Sequence, residues 1–154
     1  MAVNFSLNES FFVFKSKKYE DIYDVLVNKK HIFKMSELFT TCAALGFKHN
    51  NPVPLESKGK EMRSEHFKDN NLTALYSIMI NSSLINANLD SFGDYDFIKN
   101  SFKIIEQYAE GGMDILCSRV FEKNWNGYNL AEDYEYYEVD LLRYIYEDFN
   151  EDVF

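Results

Sequence analysis

Apolar residues recur at helical spacing along most of this chain, after one short aromatic run. That run, residues 11–14, is rich in phenylalanine and predicts a strand. Residues 17–30 then follow the period of an amphipathic helix, with Ser16 placed to cap it. A second helix is predicted from Ser36 to Gly46, because glycine readily adopts the left-handed conformation that ends a helix. The chain therefore opens with a strand and two helices.

Residues 48–70 interrupt the helical pattern. Two prolines, an Asn-Asn pair and several charged residues predict a polar loop, with a second short strand near residues 62–67. Beyond this loop, Leu72, Leu75, Tyr76 and Met79 recur at helical spacing and predict one helix. Asp94 is placed to cap the next helix, which would end at the pair Gly111-Gly112. A shorter helix is predicted to follow over residues 113–121. The middle of the chain thus reads as a surface loop followed by three helices.

A tyrosine-rich helix near residues 130–149 is predicted to end the regular structure. It is acidic opposite its apolar face, because Asp133, Asp140 and Glu147 recur every seven residues. A length of 154 residues suffices for one hydrophobic core, and no break in composition marks a linker. We therefore predict a mainly α fold in which residues 1–154 form a single compact helical domain. It would contain about five to six helices and the two short strands.

Charge is unevenly distributed along the chain. Residues 1–70 carry 11 Lys and Arg against 9 Asp and Glu, a net +2, whereas residues 71–154 carry 5 against 16, a net −11. This asymmetry predicts two surfaces of opposite sign. The candidate contacts to nucleic acid or to a partner are Lys15, Lys17, Lys18, Lys29, Lys30, Lys58, Lys60 and Arg63. The candidate acidic partner face consists of Asp133, Asp140, Glu147 and Glu151.

Candidate catalytic chemistry is sparse. The segment Glu56-Ser57-Lys58 has the Glu-x-Lys spacing of metal-dependent restriction-type nucleases, but such sites also need an upstream aspartate. No aspartate occurs between Val25 and Leu55. The three histidines are isolated from one another, and the sequence contains no phosphate-binding glycine-rich loop and no nucleophile motif. We therefore predict that the chain is not an enzyme and holds no metal or cofactor.

The cysteines and the start of the chain bear on its compartment. Cys42 and Cys117 lie far apart without a Cys-x-x-Cys motif, which is typical of small core residues in a reducing compartment. The first ten residues lack the basic and apolar regions of an export signal, and no apolar run approaches the roughly 20 residues that span a bilayer. These features predict a cytoplasmic protein without a membrane span.

Two segments resemble a known bacterial family. Residues 33–63 contain the runs MSELF, AALGFK, VPL and EMR, and residues 104–120 read IIEQYAEGGMDILCSRV. In order and spacing, these segments resemble the small accessory family labelled Dnd system-associated, whose genes lie beside DNA phosphorothioation and restriction genes. The acidic, tyrosine-rich extension from Tyr128 onward departs from the family pattern.

The resemblance implies an association with DNA-modification or phage-defence machinery through complex formation. We therefore expect a non-catalytic accessory subunit that binds larger proteins of such a system, helps to engage DNA and is able to form homo-oligomers. Two alternatives stay open from the residues alone. One is a stand-alone DNA-binding regulator that uses the basic residues, and the other is an acidic inhibitor that imitates DNA.

Overall fold

The structure, a computed structural model, describes residues 10–150 of the chain. Its main elements are β1 (Phe12–Ser16), α1 (Glu20–Tyr23), α2 (Met35–Lys48), β2 (Lys58–Arg63), α3 (Asp69–Asn81), α4 (Tyr95–Arg119) and α5 (Tyr137–Asn150). Short 3₁₀ turns lie at Lys17–Tyr19, Ser64–His66 and Leu89–Gly93. Five helices and one small sheet in a single compact domain confirm the predicted mainly α fold. Within the described range, no helix is long and apolar enough to cross a lipid bilayer.

The first helical segment is irregular. α1 is short and continues into a π-helical stretch at Asp24–Lys29, where the N–H of Lys30 donates to the carbonyl oxygen of Val25 at 2.8 Å. The amphipathic helix predicted over residues 17–30 is thus confirmed in position. The predicted cap is wrong, because the Ser16 hydroxyl donates instead to Glu110 of α4 at 2.7 Å. The Ser16 hydroxyl therefore contacts α4 and not the start of the helix.

β1 and β2 pair as an antiparallel sheet although a long stretch of chain separates them. The strand predicted at residues 11–14 is confirmed, with both ends shifted toward the C-terminus. The second strand lies earlier than the predicted residues 62–67 and ends at Arg63. A 3₁₀ turn begins at Ser64, whose hydroxyl oxygen accepts the N–H of Phe11 at 3.0 Å.

The backbones of α2 and α4 nearly touch where the two helices cross. A methyl group on Gly46 of α2 would lie 1.9 Å from the carbonyl oxygen of Tyr108. A methyl group on Gly112 of α4 would lie 1.8 Å from the carbonyl oxygen of Cys42. Only a hydrogen atom fits at these two positions, so the two glycines allow the backbones of α2 and α4 to come into direct contact.

This crossing corrects two predicted helix ends. α2 continues past Gly46 to Lys48, and α4 runs unbroken through Gly111-Gly112, so the separate helix predicted over residues 113–121 is largely its C-terminal part. Gly111 also serves close approach, since a methyl group there would lie 1.6 Å from the carbonyl oxygen of Asn51. A local pattern cannot distinguish a glycine that ends a helix from one that admits a neighbouring backbone.

The two remaining predicted caps have different outcomes. The cap of α4 is confirmed, because the Asp94 carboxylate accepts the N–H of Phe97 at 3.2 Å. Ser36 does not cap α2 but lies inside its first turn. Glu37 supports this turn by accepting the N–H of Lys34 at 2.9 Å, so a residue three positions into the helix acts where a preceding serine was expected.

The segment before α5 is an ordered loop. Leu130 forms a bridge with Trp125, and the N–H of Leu130 donates to Asp21 at 2.7 Å. These contacts hold the loop against α1, so the last helix begins at Tyr137 instead of near residue 130. The helix continues to Asn150, the last residue that the structure describes, and so includes the whole predicted range from Tyr137 onward.

Both cysteines lie in the core. Cys42 and Cys117 are buried and are not joined by a disulfide. Burial raises the pKa of Cys42 to about 12. A thiol with such a pKa stays protonated at neutral pH, so it packs as a small apolar side chain, as predicted.

Replacing Gly112 by alanine should destabilise the domain strongly. The added methyl group would overlap the Cys42 carbonyl oxygen, and overpacking of this kind costs about 3 kcal/mol. Gly93→Ala is the matched control, because nothing lies within 4 Å of a Cβ at that position. Urea unfolding followed by circular dichroism measures both free energies of unfolding. Equal values for the two variants would contradict the close approach of the helices.

Candidate functional site

Basic residues concentrate on β1, β2 and the turn after β1. The ranges 12–18 and 58–63, here called the basic sheet, contain six basic residues and one acidic residue, a net +5 in a chain of −9. Of the predicted contacts, the structure brings together here Lys15, Lys17, Lys18, Lys58, Lys60 and Arg63. Lys29 and Lys30 lie at the other end of the first helical segment, where Lys29 pairs with Glu132. The predicted set is therefore divided into two groups.

Lys15 is not a surface residue. Its side chain is buried, and its Nζ donates to the carbonyl oxygen of Lys60 at 3.1 Å. The same ammonium lies 5.4 Å from the centre of the Tyr23 ring. Burial lowers the pKa of Lys15. This lysine stabilises the sheet from within and is withdrawn from the predicted contact surface.

The outward face of the basic sheet carries two phenylalanine rings, each with a cation over it. Phe12 is 52% exposed, and the guanidinium carbon of Arg63 lies 5.6 Å from its ring centre. The Nζ of Lys58 lies 4.6 Å from the ring centre of the half-buried Phe14. Cations at such distances are attracted to the ring face. Neither ring was among the predicted contacts, although the alternation of faces along the strand predicted at residues 11–14 places Phe12 and Phe14 on one side.

On each outer edge of the sheet, a carboxylate accepts a hydrogen bond from a backbone N–H group. Glu106 of α4 accepts the N–H of Phe14 at 2.9 Å, and Glu20 of α1 accepts the N–H of Lys60 at 2.8 Å. Glu106 is itself buried, and burial raises its pKa. An added strand would need these N–H groups. The sheet therefore offers other molecules its face rather than its edges.

A cleft of about 400 Å³ lies beside the basic sheet. Its lining includes Lys17, Lys18, Glu56, Glu110 and Asp114. Glu56 faces this cleft whereas Lys58 covers the Phe14 ring, so the two ends of the Glu-x-Lys segment do not converge on one point. Across residues 10–150, no group of three or more His, Cys, Asp and Glu side chains is arranged to hold a metal ion.

One buried carboxylate fixes α5 to the end of α2. Asp148 accepts a hydrogen bond from Nε2 of His49 at 2.7 Å and pairs with Nζ of Lys48 at 3.0 Å. Burial acts to raise the pKa of Asp148, but the hydrogen bonds from Lys48 and His49 outweigh it, and the pKa is lowered. This acid faces inward and holds the helix in place.

The predicted acidic face is less regular than its spacing suggested. Asp133 precedes α5, and Asp140 accepts a hydrogen bond from the hydroxyl of Tyr134. Glu147 is exposed on the helix, whereas Glu151 lies outside the described residues. The seven-residue stripe expected on one continuous helix is therefore interrupted, because the loop before α5 takes Asp133 out of the helix.

A stripe of apolar side chains runs along the outward side of α5. Its residues follow at spacings of three and four and are each between 47% and 70% exposed: Val139, Leu142, Tyr146 and Phe149. The opposite side of the helix buries Tyr137 and Leu141 against the domain. The stripe touches the domain at one end, where Nζ of Lys48 lies 5.2 Å from the ring centre of Phe149. α5 thus has two apolar sides, of which the domain buries one and leaves most of the other exposed.

The model of the family DNA sulphur modification system-associated protein 4 matches residues 14–131, more than half of the chain. The chain belongs to this family. No curated protein and no solved structure matches this chain. The match to the DNA sulphur modification system-associated family confirms the resemblance seen in the sequence. It includes β2, the α2–α4 crossing and most of β1, and it ends before α5.

Replacing Asp148 by asparagine should loosen α5. The change removes the charge that Lys48 and His49 stabilise, and hydrogen bonds to charged groups contribute about 1.5 to 3 kcal/mol. Amide hydrogen exchange should therefore accelerate across α5. Glu147→Gln is the matched control, because it removes the neighbouring exposed charge. Unchanged exchange in the Asp148 variant would show that the carboxylate does not anchor the helix.

The Glu110 carboxylate should make stability depend on pH. Burial raises its pKa above the ordinary value of 4.5, so its contribution is fully present below 4.5 and is lost as the pH rises through the raised pKa. Glu110→Gln keeps an acceptor for the Ser16 hydroxyl and cannot ionise. As the pH rises from 4.5 to 7, the variant's free energy of unfolding should therefore increase relative to that of the wild type.

Chemical denaturation at several pH values measures this difference. Glu122→Gln provides the control, because Glu122 is exposed. A difference between the Glu110 variant and the wild type that stays constant with pH would contradict the raised pKa.

Proposed function

We propose that the chain is a non-catalytic, cytoplasmic accessory subunit of a DNA sulphur-modification system, and that it binds a larger protein of that system through α5. Membership of the system-associated family supports the choice of system. The observation that carries the proposal is the exposed apolar stripe of α5, formed by Val139, Leu142, Tyr146 and Phe149. An apolar helix side that the domain leaves uncovered suits a groove in a second protein.

The charges around this stripe indicate which kind of protein surface would complement it. Glu138 and Arg143 flank the stripe on α5, but the surrounding part of the chain is acidic, since residues 71–154 carry a net charge of −11. A groove with an apolar floor and a rim of Lys and Arg would complement this surface. An anionic lipid surface would be repelled by it, so the apolar side chains favour a basic protein over a membrane.

The attachment of α5 favours binding without rearrangement. Asp148 ties the helix to α2 through Lys48 and His49, and Tyr137 and Leu141 pack against the domain. A helix held in its bound position loses little conformational entropy when a partner covers it. α5 lies outside the matched residues 14–131, so its proposed role rests on its own exposed stripe and not on the family match.

The DNA-mimic alternative receives less support. A mimic needs a regular ladder of exposed charges to stand in for phosphates. Here Asp133 lies outside α5, Asp140 is engaged by Tyr134, and Asp148 is buried. The surface of α5 is therefore better suited to apolar docking framed by acids than to imitation of a DNA backbone.

Leu142→Glu should disrupt the complex without unfolding the chain, because Leu142 is 59% exposed. Loss of a central apolar contact in an interface typically weakens binding by about tenfold or more. The measurement is co-purification and titration calorimetry with the proteins encoded in the same DNA sulphur-modification locus. Leu84→Glu is the control, since Leu84 is 54% exposed and lies outside α5. Failure of the wild type to bind any of these proteins would reject the proposal, as would equal binding by both variants.

A further inference from the structure

We propose that the outward face of the basic sheet binds single-stranded nucleic acid, with unpaired bases stacked on Phe12 and Phe14. This site lies apart from α5 and does not depend on the function proposed for that helix. It uses side chains of β1 and β2, which pair directly in the sheet.

The rings form a stacking platform. Phe12 is 52% exposed on the open face of the sheet, where burial in the core would be the usual place for such a ring. Phe14 lies two residues further along the same strand. Alternate residues of a strand are about 6.6 Å apart, roughly twice the 3.4 Å spacing of successive nucleotides along a duplex strand. A single strand stretched to about twice its spacing in a duplex would therefore place one base on each ring.

The cations on this face suit a phosphate backbone. Arg63 lies over Phe12 and Lys58 over Phe14. A base that stacks on either ring would displace the long, flexible cation toward the adjacent phosphate. Arg63 also pairs with Glu65 at 3.5 Å, but both side chains are more than half exposed, and such pairs are easily given up. Without the buried Lys15, the basic sheet still carries five basic residues against one acid, Glu61, which pairs opposite Phe14. This net +4 supplies the positive field that phosphate binding requires, although the whole chain is acidic.

The surroundings of the sheet favour a nucleic acid over a peptide strand. The N–H groups of Phe14 and Lys60 at the two outer edges already donate to Glu106 and Glu20. Pairing of an extra strand at either edge would have to displace these carboxylates. The open face remains, and rings combined with cations on a sheet face bind unpaired bases without reading their sequence. A duplex keeps its bases stacked inside and could not use the rings.

Fluorescence anisotropy with labelled 12-nucleotide oligo-dT, oligo-U and a mixed-sequence duplex tests the proposal at low salt. The wild type should bind an unpaired oligomer more tightly than the duplex, and the preference between dT and U identifies DNA or RNA as the source. Phe12→Ala should weaken this binding by about fivefold or more, since stacking on an aromatic ring contributes that much per base. Arg63→Ala should reduce the dependence of log Kd on log salt by roughly 0.7.

Leu89→Ala is the matched control, because Leu89 is 76% exposed in the 3₁₀ turn Leu89–Gly93 and belongs to neither proposed surface. It should leave oligonucleotide binding unchanged, and circular dichroism should show that both variants fold. No oligonucleotide binding by the wild type, equal binding by Phe12→Ala, or a preference for the duplex would each overturn the proposal.

The proposals for the two surfaces can be tested independently of each other. Phe12→Ala should retain the protein partner that Leu142→Glu loses, and Leu142→Glu should retain the oligonucleotide. If Phe12→Ala instead lost only the protein partner, the basic sheet would be a protein-binding face and the nucleic-acid site would be rejected.

Discussion

Direct backbone contact between α2 and α4 is the constraint on which the rest of this domain depends. Gly46 and Gly112 leave no room for a methyl group, so the two helices cross at a single position. With α4 set in this way, Glu106 and Glu110 lie one helical turn apart and face β1. Their hydrogen bonds to the N–H of Phe14 and the hydroxyl of Ser16 then place the sheet.

Burying carboxylates beside a sheet has an energetic cost that the structure offsets locally. Burial raises the pKa of both Glu106 and Glu110, which opposes their ionisation. Each acid nevertheless accepts a hydrogen bond from β1. The hydrogen bond to Glu106 satisfies the outward N–H of Phe14 and makes that edge of the sheet unavailable to other strands. The same contacts leave the opposite, aromatic face of the sheet open.

The two surfaces have opposite chemistry and different positions relative to the family match. The basic sheet lies almost wholly within residues 14–131, whereas α5 follows them. Phe12, the more exposed ring of the proposed nucleic-acid site, lies two residues before the matched range. Both surfaces are held by buried charged groups, Lys15 under the sheet and Asp148 under α5.

Local patterns in the sequence determined the mainly α class, the helical periods, the first strand and the Asp94 cap, because these rest on contacts between residues a few positions apart. The basic and acidic halves were also evident from composition. Only the tertiary structure decided that Gly111 and Gly112 continue a helix, that Lys15 is buried, that Asp133 precedes α5 and that Phe12 faces outward. Each of these depends on groups from 45 to about 100 residues away, such as Lys60 for Lys15 and Asp21 for Leu130, whose proximity no local period encodes.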